Sequence, residues 1–212
     1  MNDKNFKKID IALRFYLTGA HMNKALSAYN FAKQYHSSVR KDGVTPEFQH
    51  QVEIALYLST LKGLHNEEYA IMIALLHDVV EDNPEVSYDD IEEKFGKKVV
   101  HGIKLISKKH LGIKTYNDVS EYYDRMAEYP EVALVKGVDR IHNLQSMNGV
   151  FSFEKQETYV EEAEKYFLPM LKKAANNDPR LFMAFMNVRT MMKNQISLIK
   201  ASIQYGKSIT AN

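Results

Sequence analysis

The residues best suited to chemistry lie in three short segments. The run Ala74-Leu75-Leu76-His77-Asp78-Val79-Val80-Glu81-Asp82 carries an apolar stretch straight into four ionisable side chains. Helical residues four apart sit one above the other, so His77 should stack with Glu81 and Asp78 with Asp82. Three carboxylates next to a buried stretch need compensation, and a cation is the natural partner. Mixed imidazole and carboxylate donors suit manganese, iron, zinc or a similar borderline ion. A solvated helix end is the alternative for a His-Asp pair taken alone. Two other segments shift the balance. His50 is followed by apolar Val52, Ile54 and Ala55, which places a buried face beside it. Asp139-Arg140-Ile141-His142-Asn143 extends the mostly apolar run from Val132 to Val138, with Asn143 one turn beyond Asp139.

The elements that must position these groups read as helices throughout. Nine Gly and five Pro punctuate 212 residues, and no stretch alternates apolar with polar for long. Helices are expected near 4–18 and 23–38. A third begins at Pro46, capped by Thr45, and a fourth runs from Asn66 through Val80. Asn83-Pro84 forces a break. Ser87 with Asp89 and Asp90 opens a short helix to Phe95-Gly96. Further helices follow near 97–107, 116–128, 130–147 and 153–175. Asp178-Pro179 starts a last one reaching Tyr205. The expectation is a single all-α domain: an N-terminal helix in 1–24, the catalytic body in 25–175, and a C-terminal helix packed on it in 176–212.

Composition narrows the function classes. Lys plus Arg number 28 and Asp plus Glu 27, a formal charge of +1, which argues against a general nucleic-acid surface. Apolar residues at 45% and charged residues at 26% are those of a globular chain. With no Cys there is no disulfide, thiolate-bound zinc, iron–sulfur cluster or thiol nucleophile. The opening MNDKNFKKIDIALRFYLTGA lacks the pattern of a secretory signal, and the longest apolar run, Ala70 to Leu76, is too short to span a bilayer. A soluble, cytoplasmic protein without membrane contact is expected.

Taken together, these segments resemble the HD-domain phosphohydrolase superfamily, whose signature is His…His-Asp…Asp on separate helices. More closely, the chain is similar to the hydrolase domain of the RelA/SpoT alarmone enzymes and their stand-alone small alarmone hydrolases. The matching residues are Phe31-Ala32 with His36, Arg40 to Gly43, His50, Ala74 to Asp82, Phe95-Gly96 with Val99 and Val100, and Val138 to Leu144. They span roughly 25 to 172. The resemblance implies an HD-type helical bundle. It implies His50, His77, Asp78 and Asp139 as metal ligands, usually for manganese, with other divalent ions open. Glu81 and Asp82 become the acidic pair that positions and activates the attacking water. Asn143 and Ser146 would touch the nucleoside, Arg40 and Lys41 the base and phosphates, and Lys155 and Tyr159 the nucleotide. The implied reaction removes the 3′-pyrophosphate of ppGpp or pppGpp, the alarmones of the stringent response, giving GDP or GTP and pyrophosphate.

The residue types suit that reaction. Four protein ligands leave an octahedral ion open to water and a phosphoryl oxygen. A nearby carboxylate can take the water's proton, and Lys or Arg can neutralise the leaving group. Gln51 stands where the family has Pro, Asn83 where it has Thr, and the His36–Arg40 interval is one residue tighter. These departures touch the loop expected to read the base. Two alternatives therefore stay open: an HD phosphohydrolase of another nucleotide, such as a dNTP or NADPH, and a nucleotide-binding regulatory module without turnover. His36 and His142 read as supporting or structural groups rather than ligands. His65, His101 and His110 read as surface residues. The basic loop Lys108-Lys109-His110, with Lys104 and Lys114, reads as a solvated face. The stripe Phe182, Met183, Phe185, Met186, Met191 and Met192 reads as core, with a dimer or partner surface as the alternative.

Overall fold

The computed structural model describes residues 3–108, 110–112 and 116–210. Among them the architecture is all-α, with a lone antiparallel bridge between Val39 and Pro46. The helices are α1 (Asp3–Gly19), α2 (Asn23–Tyr35), α3 (Phe48–Ser59), α4 (Glu67–Leu76), α5 (Val79–Asp82), α6 (Tyr88–Phe95), α7 (Lys97–Ile106) and α8 (Tyr116–Met126). They continue as α9 (Pro130–Ser146), α10 (Phe153–Glu162), α11 (Leu168–Asn177) and α12 (Phe182–Thr210). No helix among the described residues is long and apolar enough to cross a membrane.

The centre of the bundle is α4. Every residue from Ala70 to Leu76 is buried, as expected of a helix that is apolar all round and wrapped on every side. Helices α2, α3, α7 and α9 supply the wrapping. The crossing of α7 over α4 depends on Gly102, because a Cβ there would stand 2.4 Å from Ile73 Cδ1 and 2.7 Å from the Tyr69 hydroxyl. Helix α9 forms the second spine, burying Val132, Ala133, Leu134, Val135, Val138 and Ile141. Helices α11 and α12 pack on it from outside, and α1 packs on α3 through buried Leu13 and Leu17.

Local chemistry accounts for several helix ends. Ser87 and Asp90 form a reciprocal capping box at α6. Gly96, at φ +88°, ends α6 in a conformation open chiefly to glycine and starts α7. Asp178 accepts from the Arg180 N–H ahead of α12, which enters through a 3₁₀ turn at Pro179–Leu181.

Several boundaries differ from the expected ones for identifiable reasons. Helix α2 stops at Tyr35 rather than near 38, because His36 turns into the core and the exposed residues after it leave the helix to pair at Val39 with Pro46. Helix α3 starts at Phe48, not Pro46, because the Thr45 hydroxyl is taken by the Asp42 carboxylate instead of capping. The expected unbroken helix through Val80 divides into α4 and α5, with His77 and Asp78 in the turn between them. The helix expected over 153–175 holds a π turn at Ala163–Phe167 just before Pro169, which has no N–H to offer the regular ladder. The last helix runs past Tyr205 to Thr210. The Met and Phe stripe divides. Phe185 and Met192 are core, whereas Phe182, Met183 and Met186 are exposed. His65, His101 and His110 are on the surface as expected, while Lys109 and Lys114 of the basic loop lie outside the described residues.

Candidate functional site

Three core helices deliver polar groups to one place. His50 lies in the first turn of α3, buried with Phe48, Val52, Ile54 and Ala55. His77 follows directly from the buried end of α4, and Asp139 sits mid-way along α9 among apolar neighbours. One donor atom from each of His50, His77 and Asp139 lies within 4.8 Å of the others. Their separations in sequence make this meeting purely tertiary.

The contacts within the cluster are specific. His50 Nε2 stands 3.2 Å from Asp139 Oδ1 and 4.0 Å from Asp78 Oδ2. His77 Nε2 stands 3.1 Å from the same Asp78 oxygen. The outer nitrogens are held from behind. His77 Nδ1 donates to the Ala74 carbonyl at 2.9 Å. His50 Nδ1 faces His142 Nδ1 at 2.9 Å, and His142 Nε2 lies 2.6 Å from Glu53 Oε2. With Glu53 accepting from His142 Nε2–H, His142 Nδ1 accepts from His50 Nδ1–H. That assignment turns Nε2 of both His50 and His77 toward the carboxylates, the nitrogen a metal would take.

Electrostatics separate the two imidazoles. Burial drives the His50 imidazole down to about 4, partly opposed by Asp139. Burial pulls His77 down as well, but Asp78 outweighs it and raises the ring to about 9, so a metal bound at Nε2 must displace a proton. Asp78 and Asp139 are both held below the usual carboxylate range despite burial, Asp78 by His77 and Asp139 by Lys136 and the imidazoles. Lys136 Nζ lies 3.1 Å from Asp139 Oδ2. Two imidazole nitrogens and two ionised carboxylates converging in a largely buried position form a donor set that fits a borderline divalent cation.

The acidic pair stands beside this cluster. Asp82 is one turn after Asp78, its N–H bonded to the Asp78 carbonyl at 2.9 Å. Partial desolvation, then the Asp78, Glu47 and Glu81 carboxylates, raise Asp82 to about 6. Glu81 accepts a hydrogen bond from the buried Ser107 at the end of α7.

The polar residues expected to meet a nucleotide fall into two groups. Arg40 Nη2 reaches Asn143 Oδ1 at 3.2 Å and Ser146 Oγ at 3.4 Å. Asn143 Nδ2 donates in turn to Asp139 Oδ1 at 2.7 Å, so this thread ends on the cluster. The loop behind Arg40 is folded back by Asp42, which accepts from the Val44 and Thr45 N–H groups at 3.0 and 2.8 Å. Lys41, Lys155 and Tyr159 gather around another residue, Phe151. The Lys41 and Lys155 ammoniums lie 5.4 and 4.2 Å from its ring centre, and the Tyr159 ring 5.5 Å away.

Phe151, Glu53, Lys136 and Ser107 were not singled out in the sequence. Glu53 and Ser107 carry no local signal, because their partners His142 and Glu81 come from other helices, whereas Lys136 meets Asp139 at i,i+3 within one helix. Gln51 extends toward Asp78 Oδ2 at 3.4 Å, a contact that Pro could not make.

Comparison with known proteins places this geometry. Residues 28–120 match the HD domain family model. That span holds His50, His77, Asp78, Glu81 and Asp82 but stops short of Asp139. The chain is 33% identical over 157 residues to a guanosine-3′,5′-bis(diphosphate) 3′-pyrophosphohydrolase of Aquifex aeolicus, covering 71% of this chain and 21% of that protein. It is 25% identical over 205 residues to the bifunctional (p)ppGpp synthase/hydrolase SpoT of Escherichia coli K12, covering 94% of this chain and 28% of that one. The chain thus spans between about a fifth and just over a quarter of the curated relatives it matches. A solved structure described as a metazoan ortholog of SpoT that hydrolyzes ppGpp has a TM-score of 0.60 at 22% identity, covering 78% of this chain and 93% of that one. That likeness establishes the fold.

Proposed function

We propose, from the premise that this chain carries an HD domain over residues 28–120, that it hydrolyses the 3′-pyrophosphate of (p)ppGpp. The products are GDP or GTP and pyrophosphate. The observation that carries the reading is the buried meeting of His50, His77 and Asp139, with Asp78 beside them and the Arg40–Asn143–Ser146 thread leading into it. Relatives named as 3′-pyrophosphohydrolase and SpoT point to the same substrate.

His50, His77, Asp78 and Asp139 would hold the divalent ion, and manganese is the ion we assign. When bound, such an ion lowers the pKa of water and polarises the phosphorus centre. The chain's own groups then do the rest. Glu81, fixed by Ser107, and Asp82 orient the attacking water and accept its proton. The water oxygen bonds the phosphorus next to the ribose 3′-oxygen. The bond between that phosphorus and the 3′-oxygen breaks, the electron pair stays on the 3′-oxygen, and a proton from solvent completes the hydroxyl. Asn143 and Ser146 contact the ribose, and Arg40 neutralises phosphate charge. Phe151 offers a flat apolar face for a base, with Lys41 and Lys155 at its rim for phosphate oxygens.

The test is turnover by metal-stripped protein resupplied with Mn²⁺ against ppGpp, pppGpp, dNTPs and NADPH, with products resolved by ion exchange. GDP and pyrophosphate from ppGpp, dependent on the ion and lost in Asp139→Ala and His77→Ala, are expected. Turnover of another nucleotide alone would reassign the substrate. Binding without turnover would make the chain a regulatory module.

A further inference from the structure

A second set of ligand-type side chains lies beside the first and shares no residue with it. His36, Glu47 and Asp82 each place one donor atom within 4.8 Å of the others. They come from the end of α2, the turn before α3 and the end of α5.

His36 is the informative member. Its side chain is fully enclosed, with 0% exposure. Neither ring nitrogen has a hydrogen-bond partner. The nearest acidic oxygen, Glu47 Oε2, stands 3.9 Å from Nδ1, beyond hydrogen-bond reach. The ring lies against Phe48, with centroids 6.3 Å apart. Buried polar groups are nearly always satisfied, so an enclosed imidazole with two idle nitrogens calls for an occupant. His142, the other histidine near the site, has both nitrogens engaged.

The surroundings prepare the other two ligands. Glu47 is anchored by its N–H to the Ser38 carbonyl at 2.9 Å, and its carboxylate accepts from the Ser38 hydroxyl. Asp82 is one turn after Asp78 on the side facing Glu47, whose charge it feels. Burial lowers the His36 pKa and keeps its lone pair available.

We infer that His36, Glu47 and Asp82 hold a second divalent cation next to the one assigned to His50, His77, Asp78 and Asp139. One imidazole and two carboxylates suit Mn²⁺, Fe²⁺ or Zn²⁺. The inference rests on the proposed hydrolase reading and deepens it. Two adjacent ions form a clamp for the attacking and leaving oxygens of an in-line displacement. Asp82 then acts as a ligand, and Glu81 remains to orient the water.

The experiment counts ions. Metal-stripped wild type, Glu47→Gln, His36→Gln and Asp139→Asn are dialysed to equilibrium against Mn²⁺, and bound metal is measured by mass spectrometry. Electron paramagnetic resonance records spin coupling, and circular dichroism checks that each variant is folded. Glu47→Gln keeps an acceptor for Ser38 at a partly exposed position, so it tests the site if His36→Gln fails to fold. The expected result is two equivalents with coupled spins in wild type. Glu47→Gln should keep one uncoupled equivalent, and Asp139→Asn should lose the first while keeping the second. One wild-type equivalent, lost in Asp139→Asn and untouched by Glu47→Gln, overturns the second site and leaves the hydrolase reading intact. Two equivalents that both survive Glu47→Gln also overturn it. Failure of Asp139→Asn to remove any metal would count against the first site instead.

Discussion

Glu53 touches none of the four residues assigned to the ion, yet its removal should weaken ion binding by a predictable amount. Its carboxylate fixes the His142 ring at 2.6 Å, and His142 fixes His50 Nδ1 at 2.9 Å. Gln49 holds the other carboxylate oxygen at 2.7 Å. Glu53→Leu frees the His142 Nε2 proton and with it the tautomer of His50. A hydrogen bond to a charged group contributes roughly 1.5–3 kcal/mol. At about 1.4 kcal/mol per factor of ten, that corresponds to roughly 10- to 100-fold weaker binding. Partners standing behind metal-bound histidines show the same range, about 10- to 100-fold. Glu53→Gln should lose much less, because its amide oxygen still accepts from His142. The assay is Mn²⁺ titration of the stripped protein, reading free ion by electron paramagnetic resonance. Turnover at saturating Mn²⁺ should return toward wild type, since no residue that touches the substrate has changed. Unaltered Mn²⁺ affinity in Glu53→Leu, alongside a loss of stability in the metal-free protein, would refute the reasoning. Glu53 would then only brace α3 against α9.

Further outcomes follow from the same geometry. Glu81→Gln should retain bound ion while kcat falls by about 10²–10⁴-fold, the usual contribution of a general base; steady-state kinetics beside metal analysis decides it. Arg40→Ala should raise KM for ppGpp by roughly tenfold, the loss of one charged hydrogen bond, with a smaller change in kcat. Glu162→Gln should reduce stability at neutral pH by roughly 2 kcal/mol, because it breaks the 2.5 Å pair with Arg140 between α9 and α10. Burial pushes the Glu162 pKa up, but Arg140 and Lys108 more than offset it and hold it below the ordinary value. A depressed carboxylate contributes stability above its unfolded pKa of about 4.3 that is lost as pH falls through the folded value. Urea melts of wild type should therefore weaken more steeply below that pH than those of Glu162→Gln. Gly102→Ala should cost about 1–3 kcal/mol by forcing α7 away from Ile73, readable as a lower urea midpoint.

What the sequence discloses follows from how local each signal is. His77 and Asp139 were legible because each ends or interrupts an apolar run, and a polar group carried into a core is conspicuous in one dimension. The cap at Ser87 and the stop at Gly96 were legible for the same reason, since both depend on residues within one turn. The break between α4 and α5 was not. The helical pattern continues through His77 and Asp78, and only their three-dimensional pairing marks the turn between two helices. Glu53 and Phe151 have ordinary sequence surroundings and gain meaning only from partners that the fold supplies, His142 for the one and Lys41 for the other, whereas Lys136 pairs with Asp139 one turn along its own helix. His36 and His142 make the limit clearest. Both are histidines near apolar helices, and composition and spacing treat them alike. In the folded chain His142 is bonded at both nitrogens, and His36 is enclosed with neither engaged. A histidine's type shows what it can bind, but the fold decides whether that capacity is already spent. In this chain the unspent one sits beside Glu47 and Asp82.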